Sequence, residues 1–511
     1  MHWLRLPEPR RDIAPAFDNS ESARAWLDAQ ASTSPLVLLS TILEQIQAID
    51  GTVTSPSEAV ALLDLLRSAA VAVQSKVEGQ FTRKALPMSP DEEQAFEITQ
   101  QVWTRFGIAY LRLVPESTPA NRCLQLQRAA SALRLAHYCH YLAARSCTRL
   151  SDHLLLMVLT LAEANGVLRR PMADPDFSEH GKGTVSGQLV WAILMRIIDP
   201  FHLAAIELPV VNRLFSRWRE LVDLRPEPDR SKGPYVLDLA SLFGDDLKTG
   251  TPRYLNLSTV ALKLGQRIKL LAAGESPEAL KLGRTLSSAA ASRLLNDLEQ
   301  YLQPLHKEVL TTDQEIELVF GGDDTYAVLK NRILNPTGAQ KSEQPLAYER
   351  KAIFGLEQSS RLSSTESRLR VASEHWAVVN GVATRAPQSD ATRRLAPCLI
   401  GTLVDGEPRI GVMASLQCHD NGALSARLKW FDDEVEACSL KRLAPKGNTL
   451  FRVPAFVIRH KWGISLILPA DAGARLGINL GLADCSVEEL IPAEVMLRGT
   501  DFVHYACTLG R

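Results

Sequence analysis

The chain has 511 residues, too many for one ordinary core, so two to four domains are expected. Apolar residues make up 46% and charged residues 23%, the balance of a soluble globular protein, which excludes disorder of the whole chain. With 57 basic against 58 acidic residues there is no global field to draw the protein onto nucleic acid or an anionic membrane.

The eight cysteines, Cys123, Cys139, Cys147, Cys398, Cys418, Cys438, Cys485 and Cys507, are scattered and form no Cys-x-x-Cys pair. That pattern suits buried thiols in a reducing compartment. Residues Met1–Arg11 lack the apolar centre of a signal peptide, and the longest strongly apolar run, Leu154–Ala162, is far short of the ~20 residues of a membrane helix. A cytoplasmic protein without membrane insertion is expected.

From about Ser20 to Val309 the periodicity is helical. Leu36–Ala48 returns apolar residues every three or four positions. Ser55-Pro56-Ser57-Glu58 and Ser89-Pro90-Asp91-Glu92 are helix starts, a capping Ser with Pro and an acid in the first turn. They open helices over Ala59–Val77 and through Phe96 to about Val114. After Pro115 and Pro119 come Asn121–Ser146, Ser151–Ala164, Val185–Ile198 (stopped by Asp199-Pro200) and Leu208–Val222. Pro226–Gly233 reads as a loop and Tyr235–Leu242 as an extended segment. Val260–Ala273 and Ala279–Leu302 are the last long helices. Helices separated by Gly, Pro and polar residues suggest an α-solenoid-like array, with no recognisable repeat signature.

The character changes at about residue 336. Asn335–Gln344 and Gln358–Arg368 are polar and turn-rich, as linkers are. Beyond them, β-type runs at Trp376–Val379, Leu399–Leu403, Arg409–Leu416, Leu424–Trp430, Phe451–Val457, Ile464–Leu468, Ser486–Leu490 and Phe502–Thr508 alternate with turns such as Asn380-Gly381 and Asn421-Gly422. The expected fold is α+β and multidomain. It has an all-helical region over 1–335 (one or two subdomains), a linker over 336–375, and a small β-barrel over 376–511.

Chemistry-bearing groups are sparse. His137 and His140 share a helix face beside Cys139, but no carboxylate completes a metal site, and helix packing is the expected role. Gly181-Lys182-Gly183-Thr184 has the flavour of a phosphate loop without the preceding strand. Arg213 with Arg217, near Arg219, and Lys263 with Arg267 sit one helical turn apart, the spacing of a phosphate grip and also of a solvated face. No nucleophile elbow, dinucleotide turn or zinc-protease helix occurs, so no catalytic residue and no metal ligand is assigned. Around the first strand of the barrel, Arg361, Arg368 and Arg370 precede it and Arg385, Arg393 and Arg394 follow it. Paired guanidinium hydrogen bonds suit phosphate and guanine edges.

The C-terminal layout resembles a PilZ-like domain. In that family a six-stranded barrel binds cyclic di-GMP, through an arginine-rich segment before the barrel and an Asp/Asn-x-Ser-x-x-Gly turn on it. The matching stretch is Trp376-Ala-Val-Val-Asn380-Gly-Val-Ala-Thr-Arg385. Leu399-Ile-Gly-Thr-Leu403 and Arg409-Ile-Gly-Val-Met413 follow it, and Leu424–Trp430 leads into Leu440–Pro445 as such barrels close. The helical stretch, with Ser20–Leu27 and Asp199–Leu203 as cues, resembles the long helical portion that precedes the barrel in some proteobacterial proteins. The ligand motif departs from the pattern. Asn380 matches, Val382 stands where the Ser belongs and Arg385 where the Gly belongs, and Arg361, Arg368 and Arg370 lack the Arg-x-x-x-Arg spacing.

The resemblance therefore implies a non-enzymatic regulatory or adaptor protein of cyclic di-GMP signalling, without a cofactor. Its barrel would bind the dinucleotide weakly, atypically or not at all, with Arg361, Arg368, Arg370, Asn380 and Arg385 as candidate ligand contacts. Its helical region would bind a protein partner, and nucleic acid is not an expected partner. The alternative is a nucleotide-independent helical scaffold.

Overall fold

The structure, a computed structural model, describes residues 5–52, 55–228, 235–243, 254–303, 314–334, 372–379, 381–387, 392–404, 407–443, 450–461 and 463–510. The chain divides into two compact units, Met1–Arg83 with Met88–His306, and Lys84–Pro87 with Lys307–Arg511.

The first unit is helical, as the periodicity requires. Its helices are α1 (Ser20–Ala29), α2 (Pro35–Gly51), α3 (Pro56–Glu78), α4 (Pro90–Leu113), α5 (Pro119–Leu142), α6 (Arg149–Ala164), α7 (Val185–Ile197), α8 (Glu207–Trp218), the short α9 (Ala240–Phe243), α10 (Ser258–Ala272) and α11 (Ser288–Leu302). Both starts read from Ser-Pro pairs are real caps. Ser55 accepts from the Glu58 amide at 3.3 Å, and at Ser89 the Glu92 carboxylate reaches back to the Ser89 amide at 2.8 Å. Ala279–Leu302 is shorter than its pattern. Lys281 (φ 61°) and Gly283 (φ 90°) hold left-handed backbone, and the helix begins after the Ser287 cap. Tyr235–Leu242 resolves into β2 (Val236–Asp238) and the start of α9. With β1 (Asp223–Arg225) and β3 (Tyr254–Asn256), β2 makes a small antiparallel sheet in the order β1-β3-β2.

The helices gather round α5. It packs against α3, α4, α6 and α7, and every residue from Gln125 to Leu142 is buried. A helix enclosed on all sides must satisfy its polar side chains internally. Arg128, Arg134, His137 and His140 are therefore not surface groups, which sets up the charge network described below.

The second unit holds two closed six-stranded antiparallel barrels where one was expected. Its elements are β4 (Gln314–Phe320), α12 (Gly322–Lys330), β5 (Ser373–Val379), β6 (Val382–Arg385), β7 (Cys398–Val404), β8 (Glu407–Cys418), β9 (Leu424–Trp430), β10 (Glu434–Leu443), β11 (Leu450–His460), β12 (Gly463–Pro469), β13 (Leu480–Ala483), β14 (Glu489–Arg498) and β15 (Phe502–Leu509). The first barrel runs β4-β5-β6-β9-β8-β7 and the second β10-β11-β12-β15-β14-β13.

Two features correct the sequence reading. Strand β4 lies ahead of residue 336 and pairs with β5 from Gln314↔Val378 to Val319↔Ser373, so the first barrel takes a strand from the stretch read as helical. The segment at Leu440 opens the second barrel rather than closing the first, because β10 pairs with β11 along ten residues. Helix α12 lies on β7, where Gly401 makes room: a Cβ there would stand 3.0 Å from the Thr325 methyl and 3.1 Å from Val319. Tyr326, Leu399, Ile410 and Val412 of the first barrel and α12 share an apolar cluster with Ala437, Phe456, Ile458, Ile467 and Phe502 of the second. This shared cluster ties the barrels together.

Candidate functional site

Of the candidate ligand contacts, Arg361, Arg368, Arg370 and Asn380 lie outside the described residues. Arg385 closes β6 with its side chain turned inward, 4% exposed, its guanidinium 5.3 Å from the Trp376 ring centre. Its Nη1 donates to Glu374 Oε2 at 2.5 Å. Arg394 donates to the other oxygen, Glu374 Oε1, at 2.6 Å and lies 3.8 Å over the Phe320 ring. Arg393 donates to the Ala85 carbonyl at 2.9 Å. One carboxylate thus bridges two guanidinium groups on the wall of the first barrel. Where a Gly would leave a backbone free to meet a ligand, Arg385 instead closes an internal ion pair. Sequence reasoning passed over Glu374, which stands two residues before Trp376.

The helical unit carries a second charged constellation, built on α5. Arg67 of α3 is fully buried and pairs with Asp174 at 2.9 and 2.6 Å, and also donates to Asp176 and Ser131. Arg128 reaches Asp174 at 2.8 Å and Asp64 at 3.2 Å, and Tyr110 donates to Asp64 at 2.6 Å. Burial alone raises the Asp174 carboxyl. The Arg67 and Arg128 guanidinium groups outweigh burial and hold its pKa below the ordinary value.

Next to this network stands Arg134. It is 3% exposed, donates to Gln188 Oε1 at 3.0 Å and lies 3.6 Å over Trp191. No carboxylate lies within ion-pair reach of it among the described residues, and burial, then the nearby Arg219, lowers its pKa to about 9. The 3₁₀ turn Pro175–His180 supplies His180, whose ring meets Trp191 edge-on at 5.2 Å and stacks on Phe177 at 5.8 Å. Burial, then Arg134, lowers the His180 pKa to about 4, so the ring is neutral. Arg219 donates to the His180 carbonyl at 2.8 Å. Arg134 thus places one positive charge on the Trp191 ring, while Arg67, Arg128 and Arg219 beside it are met by Asp174, Asp176, Asp64 and Glu220. Asp174-Pro175-Asp176 is the signal in the sequence that marks this cluster, two acids held on one turn.

The remaining candidates are absorbed by structure. Gly181-Lys182-Gly183-Thr184 leads into α7, and Thr184 caps it by accepting from the Gly187 amide at 2.8 Å. Glu220 already occupies the anion position there, accepting from the Thr184 amide at 2.9 Å and the Thr184 hydroxyl at 2.8 Å. His137 and His140 are buried, which lowers both pKa values, His140 to about 3. His140 packs edge-on against Phe96 at 5.2 Å. Among the described residues no group of His, Cys, Asp and Glu is placed to hold a metal. Arg217 donates to the Lys281 carbonyl at 3.0 Å, and Arg267 lies 4.8 Å over Trp218. Arg213 and Lys263 join neither contact. No helix among the described residues is long and apolar enough to cross a membrane.

Neither a curated protein nor a solved structure matches the chain. One family does match, over α1 to β1, the part of the helical unit that contains the Arg67–Asp174 network and Arg134. Residues 21–229 match the family described as cyclic-di-GMP receptor FimW, N-terminal domain, and a helical region followed by closed six-stranded barrels fits a cyclic di-GMP-related signalling protein.

Proposed function

We propose that this chain is a non-enzymatic regulatory or adaptor protein of cyclic di-GMP signalling, acting in the cytoplasm. Its helical region binds a protein partner. Its PilZ-like barrel, for which Arg361, Arg368, Arg370, Asn380 and Arg385 are the candidate ligand contacts, binds the dinucleotide weakly, atypically or not at all. The observation that carries the reading is the family match over residues 21–229. The Arg385–Glu374 ion pair supports the qualification on the barrel, because a ligand phosphate must displace a carboxylate already bonded at 2.5 Å.

Calorimetric titration of the full chain with cyclic di-GMP tests it. A dissociation constant weaker than about 1 μM, worth less than about 8 kcal/mol, is expected for the barrel as described. Sub-micromolar binding lost in Arg385→Ala overturns the qualification on the barrel. No heat at any ligand concentration, together with a stoichiometric partner recovered equally with and without nucleotide, replaces the whole reading with a nucleotide-independent helical scaffold.

A further inference from the structure

The second barrel is closed most thinly at β13. That strand pairs with β10 at Ser439↔Ala483 and Leu440↔Leu482 and with β14 at Leu480↔Leu490 and Gly481↔Glu489, two positions on each side. Just past the Ser439↔Ala483 pair that ends this seam, Cys438 of β10 and Cys485 of the following turn meet on the same apolar cluster, their side chains within interaction reach of each other. Cys438 is buried in the barrel core, and Cys485 is half-buried at its edge. The turn is held in place: Glu436 accepts from the Ser486 amide at 2.8 Å and from its hydroxyl, and Arg452 donates to Asp484 at 2.6 Å. Two thiols within interaction reach, one open to solvent, on backbone fixed from both sides, are the arrangement of an attacking and a resolving thiol.

We propose that Cys438 and Cys485 form a reversible disulfide when the protein meets hydrogen peroxide. The Cys485 thiolate attacks one peroxide oxygen, the O–O bond breaks, and hydroxide leaves, giving a sulfenic acid on Cys485. The Cys438 sulfur then attacks the Cys485 sulfur, its proton leaves with the hydroxyl as water, and the S–S bond forms. Two thiols are oxidised and one peroxide is reduced to two waters. The bond fastens β10 to the β13–β14 turn and clamps the seam. The electrostatics agree with this order of attack. Hydrogen bonding from Cys438 outweighs burial and lowers the Cys485 pKa to about 7, whereas the same contact and burial raise Cys438.

The test treats the full chain with hydrogen peroxide near neutral pH, blocks free thiols by alkylation and maps the peptides by mass spectrometry. A dithiothreitol-reversible peptide pair joining Cys438 to Cys485, lighter by two hydrogens, is expected. Cys485 should oxidise roughly a hundredfold faster than Cys507, whose pKa burial raises to about 12. In Cys438→Ser the sulfenic acid persists on Cys485 and is trapped by dimedone. The proposal is overturned if Cys438 and Cys485 both remain alkylatable while Cys147 or Cys507 oxidises, or if Cys485 links only to a second molecule. The wild-type cross-link decides the matter even if Cys438→Ser fails to fold.

Discussion

At the scale of single residues, burial decides what the charged groups can do. Glu374 is the hinge of the first barrel's charge: it serves both Arg385 and Arg394, with its own side chain 15% exposed. Replacing it by Gln leaves two guanidinium groups against a neutral amide. Loss of about 3–5 kcal/mol is expected, read from denaturant unfolding of Glu374→Gln. A variant as stable as the parent would show that solvent, not Glu374, balances Arg385. The buried histidines predict acid sensitivity. His140 and His504 have folded pKa values lowered to about 3 and about 4, burial being the leading cause in each. The unfolded chain binds their protons from about pH 6.5 downward while the folded chain does not, so stability is full above that pH and falls as the pH drops toward 4. About 3 kcal/mol per histidine is at stake by pH 4, measured as melting temperature across a pH series. His140→Leu should flatten the His140 share, and a melting temperature that stays level from pH 7 to 4 would refute the assignment.

At the scale of elements, the local signals were legible where they were strong. Ser55-Pro56 and Ser89-Pro90 marked true helix starts, and the β-type runs from Trp376 to Phe502 largely became strands. Strand β4 was missed because Gln-Glu-Ile-Glu-Leu alternates acids with apolar residues in a stretch otherwise rich in helix formers, and a long polar stretch separates it from its partner β5. Strand β10 was missed because its Glu-Val-Glu-Ala-Cys start is similarly ambiguous, and without it the second barrel has no first strand. The candidate site was less legible than the fold. Trp376 and Arg385 could be found from the motif, but that Arg385 faces Glu374 depends on strand pairing, and the Arg134–Trp191 contact depends on how α5 and α7 pack. Strand geometry itself yields a test at Gly411 in β8. A Cβ there would stand 2.6 Å from the Lys429 carbonyl oxygen and 2.7 Å from the Trp430 ring. Gly411→Ala therefore forces the β8–β9 ladder apart, with a loss of about 1–3 kcal/mol expected by chemical denaturation. An unchanged midpoint would mean that the ladder yields freely at this point.

At the scale of the whole molecule, the two compact units carry separate cores. The helical core runs from Phe17 to Leu302, and the barrels close round their own clusters. Cores of this size unfold as cooperative blocks. Calorimetry of the full chain should then resolve two transitions, and point variants assign them. Arg67→Met removes the buried cation that Asp174 and Asp176 share, leaving Asp174 to Arg128 alone, and should lower one transition. Glu374→Gln should lower the other. At about 3 kcal/mol each and about 2–4 °C per kcal/mol for blocks of this length, shifts of about 6–12 °C are expected. Cyclic di-GMP supplies the functional readout on the same instrument, because a ligand raises only the transition of the unit that binds it. A rise confined to the transition lowered by Arg67→Met places the dinucleotide on the helical unit that carries Arg134. A rise confined to the one lowered by Glu374→Gln places it on the barrels, where it must displace the Glu374 carboxylate. A single transition moved equally by either substitution would contradict the division into two independently folding units.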